Sequence, residues 1–383
     1  MRKILIASMF LIGSSAAAFA SCEPGEIVVR FSHVTATKGH PKGEAADLLA
    51  RRVNSEMQGK ACMEVFPNSQ LYDDNKVLEA LLLGDVQMAA PSLSKFERYT
   101  KKYRVFDLPF LFKDMEAVDK FQSSEVGQGL LYAMRGAGLR GLTFWHNGMK
   151  QMSAKRPLRV PADAEGLKFR IQQSDVLKAQ FEQLGANPQK MAFKEVYGAL
   201  QTGVVDGQEN TWSNIFTKKF FEVQDGVTET NHGVIDYLVV TSDEFWENLP
   251  ADVRAQLELI LTQVTLERND IAYQLAVENR ARILDAGSPV RDLTPDERAQ
   301  WVRALKPVWD KFEDDIGADV IAAAEASNST LDERVLLFEK RLLEEALTEH
   351  SGRLRQTAAS LGITRRSLKA RLLDHGLNPR DYR

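Results

Sequence analysis

From residue 26 the chain alternates short apolar runs with stretches of helical spacing. Ile27-Val28-Val29-Arg30-Phe31 is β-branched and reads as a strand over 26–33. Over 41–57, apolar residues at Ala45, Leu48, Leu49 and Val53 share one helical face, and Gly59 closes the segment. A strand at 61–66, a helix at 75–83 and a strand at 86–90 follow. Strands separated by helices of this length predict βαβ units on a parallel sheet. A further unit starts with a strand at 167–171 and a helix at 174–184.

The same pattern occurs twice. Val77, Ala80, Leu81, Gly84 and Val86 recur as Val196, Ala199, Leu200, Gly203 and Val205. Each copy reads as a helix, a glycine stop, a short strand and a polar loop. A duplicated lobe is predicted, the second spanning roughly 146–230, with a cleft between the two. Ligands of open parallel sheets bind beyond the carboxyl ends of strands. After Pro250 the pattern becomes helical, with one long helix over 252–278 and a pair over 295–305 and 307–325. Ser327-Asn328-Ser329-Thr330 is a polar linker. A Leu-rich helix over 331–350 follows, then two short helices around Gly362.

The ends of the chain alter this picture. Arg2 and Lys3, the apolar run Ile4 to Ile12, and Ala18-Phe19-Ala20 describe a secretory signal peptide cut after Ala20. The apolar run is too short to span a bilayer. Export makes the two cysteines, Cys22 and Cys62, candidates for a disulfide. Each lies at or just before a strand start, so neighbouring parallel strands would bring them together. Two buried thiols are the alternative. Apolar residues make up 44% and charged residues 27%, which excludes a disordered chain. The overall charge is −4 but is unevenly placed. From Ser351 onward eight basic residues stand against Asp374 and Asp381, a net +6, leaving −10 on the rest.

Several residues suit ligand binding. Arg170 ends a strand ahead of Ser174, a helix N-cap, and its guanidinium fork matches a carboxylate; a surface ion pair is the plainer role for an isolated arginine. The segment 206–210, ending in Asn210, offers amides at the matching place after the next strand, and Ser92 and Ser94 offer hydroxyls in the mirrored loop. Trp145 and Asn147 suit a cleft wall at another strand end, and Lys42 follows the first strand. The six histidines show no metal-ligand spacing, and there is no P-loop or GxGxxG. The expectation is a binding protein without cofactor or metal, not an enzyme.

With those residues in hand, residues 21–328 resemble the DctP-type solute-binding receptors of TRAP transporters. The shared motifs are Phe-Pro-Asn-Ser-Gln-Leu at 66–71, Phe-Asp-Leu-Pro-Phe-Leu-Phe at 106–112, Ala-Leu-Gln-Thr-Gly-Val-Val-Asp-Gly-Gln-Glu-Asn at 199–210 and Asn-His-Gly at 231–233. The resemblance implies a periplasmic location, two α/β lobes with a hinge, and a long helix spanning both. It also implies a small carboxylate ligand, most often a C4-dicarboxylate such as malate, succinate or fumarate, gripped by an Arg and an Asn that match Arg170 and Asn210. Its expected partner is a membrane permease driven by an ion gradient. Residues 331–377 instead resemble a Fis-type helix-turn-helix. That resemblance makes Arg365, Arg366, Lys369 and Arg371 DNA-contact candidates on a recognition helix over 364–373, within a linker-plus-module domain over 329–383. The Leu336, Leu343 and Leu347 stripe suggests that the tail dimerises. Export and DNA binding conflict by compartment. The receptor reading is favoured by its length, with a ligand-sensing DNA-binding regulator as the alternative.

Overall fold

The computed structural model describes residues 22–382, so the expected leader lies outside the described residues. Among the described residues there are ten strands: β1 (Ile27–Ser32), β2 (Ala61–Phe66), β3 (Met88–Ala89), β4 (Leu139–Ala154), β5 (Lys168–Ile171), β6 (Asn187–Lys190), β7 (Gly207–Thr211), β8 (Val227–Glu229), β9 (Val234–Ser242) and β10 (Val290–Asp292). They run in the order β2-β1-β3-β9-β4-β7-β5-β6, with β8 joined to β4 and β10 to β8.

Two parallel halves meet at long antiparallel strands. In the first, Phe31 of β1 is paired with Val65 of β2 and Met88 of β3. In the second, Phe169 of β5 is paired with Pro188 of β6 and Gly207 of β7. The repeated motif supplies the helix and the following strand of each half: Val77–Leu82 leads to β3, and Val196–Thr202 to β7. β4 runs through both halves, pairing with β9 up to Met149 and with β7 from Lys150. That single strand links the two halves. β10, which lies beyond 146–230, also joins the second half.

The long helix extends further than its apolar pattern indicated, over Ala251–Asp285. One end packs on the helix Pro41–Glu56 of the first half and the other on the helix Trp212–Thr217 of the second. Asn279, fully buried, ties them directly: its Nδ2 donates to Gly39 O and to Ser213 Oγ. The helix expected over 307–325 is broken. A 3₁₀ segment at Lys306–Lys311 precedes Glu313–Ile316 and Ala318–Ser327, because Gly317 takes φ 102° between the last two.

Cys22 and Cys62 form a disulfide with their Cα atoms 5.4 Å apart. Parallel pairing of β1 with β2 places Cys62 beside Val28, within reach of the segment before β1.

The tail is a separate small core. Thr330 caps the helix Leu331–Glu349 through a capping box with Glu333. Helices Leu354–Ser360 and Arg365–Asp374 fold against it, burying Leu343, Leu347, Ala358, Leu368 and Leu372 together.

Candidate functional site

A cavity opens between the carboxyl ends of β1, β3, β5 and β7. Lys42, Ser92, Arg170 and Asn210 line it, joined by Ser32, His33, Asp74, Gln172, Phe193, Asn214 and Tyr237. The second residue of its helix, Lys42 is carried into the cavity because that helix begins hard against the preceding loop. A Cβ on Gly43 would lie 1.8 Å from Ala36 O, so only glycine permits the approach. Arg170 is the last residue but one of β5, and the adjacent helix is capped by Ser174, whose Oγ accepts from Leu177 N.

Both cations are buried, and neither has a carboxylate at ion-pairing distance among the described residues. Lys42 Nζ donates to Ala90 O at 3.0 Å and lies 3.8 Å from the centroid of the Tyr237 ring. Arg170 donates through Nε and Nη2 to Met191 O. Each is 1% exposed. Burial pushes Lys42 down to about 7, an effect that nearby Asp74 offsets only in part. Burial likewise lowers Arg170. Asp74 is committed elsewhere: Lys95 pairs with it at 2.9 Å and Phe193 N donates to it. Burial would raise its carboxyl, but Lys95 and Arg170 hold it below the ordinary value. Unpaired buried charge is unfavourable unless a ligand of opposite charge completes it. Two such cations on opposite walls suit a dianion.

A directional chain of hydrogen bonds crosses the site. His40 Nε2 donates to Asn214 Oδ1 at 2.8 Å, and Asn214 Nδ2 to Asn210 Oδ1 at 2.6 Å. Asn210 Nδ2 then donates to Gln208 Oε1, and Gln208 Nε2 to Ser153 Oγ. Asn210 therefore keeps one amide hydrogen and one lone pair free for a ligand. A second link joins the walls, Gln172 Nε2 donating to Ser92 Oγ at 2.5 Å. Beneath the cavity, on the opposite face of β7, Lys150 pairs with Glu209 at 3.0 Å, with His232 behind it.

Three expected residues fall outside the lining. Trp145 faces the core, stacked on Phe31 with its Nε1 donating to Thr265 Oγ1. It was expected at a strand end, but β4 continues for nine more residues past a bulge between Trp145 and Gly148. Asn147 stands one layer back, its Nδ2 donating to Tyr237 Oη and Thr211 Oγ1. Ser94 donates to Asp107 Oδ1 and to Gln172 Oε1. The segment 206–210 is not a loop either, since Gly207–Thr211 is strand β7. Residues missed by the sequence reading had a signal: Gln172 is two places from Arg170 on the same extended face, and Asn214 lies in the first turn of the helix that directly follows the strand of Asn210.

In the tail, Arg365, Arg366 and Lys369 are exposed on the helix Arg365–Asp374, which Thr364 caps. Arg371 is instead paired with Glu339 of the Leu-rich helix, which also holds His375 at 3.3 Å. It braces the module. The leucine stripe offered as a dimer face is also divided. Leu343 and Leu347 are covered within the module, while Leu336 is exposed beside Val335, Phe338 and Leu342.

Comparison with known proteins agrees with this geometry. The model for bacterial extracellular solute-binding proteins of family 7 (DctP) matches residues 31–315, and that for bacterial regulatory proteins of the Fis family matches residues 336–374. A C4-dicarboxylate-binding periplasmic protein DctP of Vibrio cholerae is 67% identical over 324 residues, covering 85% of this chain and 98% of that protein. A TRAP periplasmic solute-binding protein of Shewanella oneidensis, solved with bound succinate, is 53% identical, with TM-score 0.78 over 79% of this chain and all of the other. One from Pseudomonas aeruginosa, with bound L-malate, is 46% identical, with TM-score 0.73 over 74% of this chain and 99% of the other. The chain is a two-lobed receptor with a helix-turn-helix segment appended, and it belongs to the DctP family of bacterial extracellular solute-binding proteins.

Proposed function

We propose that the protein is the periplasmic receptor of a TRAP transporter, binding a C4-dicarboxylate between its lobes and delivering it to an ion-gradient-driven membrane permease. The observation that carries the proposal is the pair of buried cations, Arg170 and Lys42, on opposite walls and without carboxylate partners. Arg170 and Asn210 hold one ligand carboxylate, and Lys42 draws the second. Ser92 and Gln172 close over the ligand through their mutual hydrogen bond. Ser94, behind Gln172, and Asn147, behind Tyr237, support lining residues without reaching the cavity. The reaction is capture and release, without catalysis. The names of the relatives support this reading, as does the leader expected over residues 1–20, which supplies the route to the periplasm. Calorimetry of protein freed of carried-over ligand, titrated with succinate, malate and fumarate, tests it. Heat with at least one diacid is expected, and silence with all three overturns the proposal.

The tail carries a second activity in this proposal, binding of duplex DNA, and the observation favouring it is the exposed Arg365, Arg366 and Lys369 on a capped helix. It would operate only for a fraction of the protein retained in the cytoplasm. The exposed Val335, Phe338 and Leu342 face is where a second tail would pack.

A further inference from the structure

A buried polar atom without a partner costs free energy, so each one in a binding cavity marks something the ligand must supply. Two such atoms lie on the Lys42 side of this cavity: Nε2 of His33, which is 2% exposed, and Oγ of Ser32.

The protonation of His33 follows from its neighbours. The backbone N–H of Thr35 donates to His33 Nδ1 at 3.3 Å, with Thr35 Oγ1 at 3.1 Å from the same nitrogen. A backbone amide can only donate, so Nδ1 holds the lone pair. Burial, reinforced by the charge of Lys42, keeps the ring neutral. A neutral imidazole with a bare Nδ1 carries its hydrogen on Nε2. The atom without a partner is therefore a donor, and among the described residues nothing accepts from it.

We propose that His33 Nε2–H, with Ser32 Oγ, completes the Lys42 end of the cavity as a carboxylate-specific subsite, and that His33 makes the receptor discriminate diacids from monoacids of the same length. The inference rests on the dicarboxylate reading above and adds to it the residue that enforces it. Lys42 supplies charge but little direction, being a point donor on a flexible stem. His33 supplies direction, because its ring is fixed by Thr35 and by edge-on packing against Phe31, with ring centroids 6.3 Å apart. A ligand ending in a methyl group leaves both His33 and Lys42 unsatisfied in a closed site, and recognition by buried polar groups rejects such analogues strongly.

The test compares succinate with butyrate by calorimetry on ligand-free protein, for the wild type, His33→Phe and His33→Gln. Phe keeps ring volume without the donor, and Gln carries an amide nitrogen near the place of Nε2. The expected result is a loss of roughly 10- to 100-fold in succinate affinity for His33→Phe, little change for butyrate, and substantial recovery in His33→Gln. Equal succinate affinity in wild type and His33→Phe overturns the inference and leaves the receptor reading intact. A wild type that binds no C4-dicarboxylate defeats the receptor reading, and the inference with it. Side-chain ¹⁵N NMR of the wild type keeps the question decidable should His33→Phe fold poorly. It should show Nδ1 unprotonated, Nε2 protonated and the Nε2–H resonance shifted by succinate. A hydrogen on Nδ1, or an Nε2–H indifferent to succinate, overturns the inference.

Discussion

Lys42 Nζ lies 3.8 Å from the centroid of the Tyr237 ring, while its only hydrogen-bond acceptor among the described residues is Ala90 O. The ammonium is thus held by an aromatic face and one carbonyl, without a neutralising anion. Burial pushes it down to about 7, so near neutral pH much of the free receptor carries it uncharged. A dianionic ligand favours the charged form and raises that value. Binding should therefore take up a proton, and affinity should fall as pH rises from 7 to 9. Calorimetry in buffers of different ionisation enthalpy reads the uptake directly. Lys42→Met should weaken succinate binding by about 2–3 kcal/mol and abolish most of the pH dependence.

Gln172 of the second half donates to Ser92 of the first, linking the two walls of the cavity. Gln172→Ala removes this neutral hydrogen bond, worth about 1 kcal/mol, and with it a contact expected to hold the cleft shut over a ligand. The loss should appear as faster ligand dissociation with little change in association, since closure follows encounter. Stopped-flow fluorescence separates the two rates. A slower association with unchanged dissociation would place Gln172 in the encounter rather than the closed state.

Three buried histidines make the fold acid-sensitive. His33, His40 and His232 are all held below the ordinary imidazole value, His40 down to about 3, and burial is the largest cause in each case. The unfolded chain binds protons at these rings near pH 6.5, where the folded chain does not. Their contribution is therefore complete above pH 6.5 and is lost as pH falls toward their folded values. His146 opposes this only near and above pH 6.5: Asp236 and Asp119 outweigh its burial and raise it to about 10, so the folded chain holds a proton that the unfolded chain releases there, whereas toward pH 5 both states hold it. Denaturant midpoints should fall from pH 7 to pH 5, with a slope of up to three protons. His40→Asn should reduce that slope if it folds.

The disulfide closes a loop of 40 residues between the first two strands. Chain-entropy arguments give it about 3–4 kcal/mol. Reduction should lower the unfolding midpoint while leaving ligand affinity unchanged, because Cys22 and Cys62 do not line the cavity. Mass spectrometry of unreduced peptides checks the pairing itself.

Much of this was legible in the chain. The strands at 26–33 and 61–66, separated by a helical stretch, gave the parallel pair, since strands joined through a helix form a βαβ unit. The repeat around Gly84 and Gly203 gave two halves, and Arg170, Asn210, Lys42 and Ser92 do meet in one cavity. Trp145 falls outside the cavity for a physical reason: a strand crossing two half-sheets has no turn signal to show that it continues. Leu343 and Leu347 resemble a dimer face in the sequence because periodicity shows that a face is apolar but not what covers it. His33 has no signal in the sequence, because its role depends on a tautomer set by the backbone of Thr35, which no spacing pattern encodes.

The tail and the receptor should behave as separate modules. Asn328 belongs to the receptor: its Oδ1 accepts from Lys113 N and its Nδ2 donates to Leu111 O. Truncation after Thr330 preserves those bonds and should leave dicarboxylate affinity unchanged, because every cavity residue lies upstream. In the full chain, Arg366→Ala and Lys369→Ala should weaken duplex DNA binding and each reduce its salt dependence by about one released counterion. Arg371→Ala should act differently. Its partner is Glu339, so the change should loosen the recognition helix and lower the tail's melting temperature, and Glu339→Ala should do the same. Gel shifts at two salt concentrations, beside thermal melts of each variant, separate the groups. DNA binding that is absent in the full chain, or indifferent to Arg366 and salt, would remove the DNA reading. Loss of dicarboxylate binding on truncation would show instead that the tail supports the cleft.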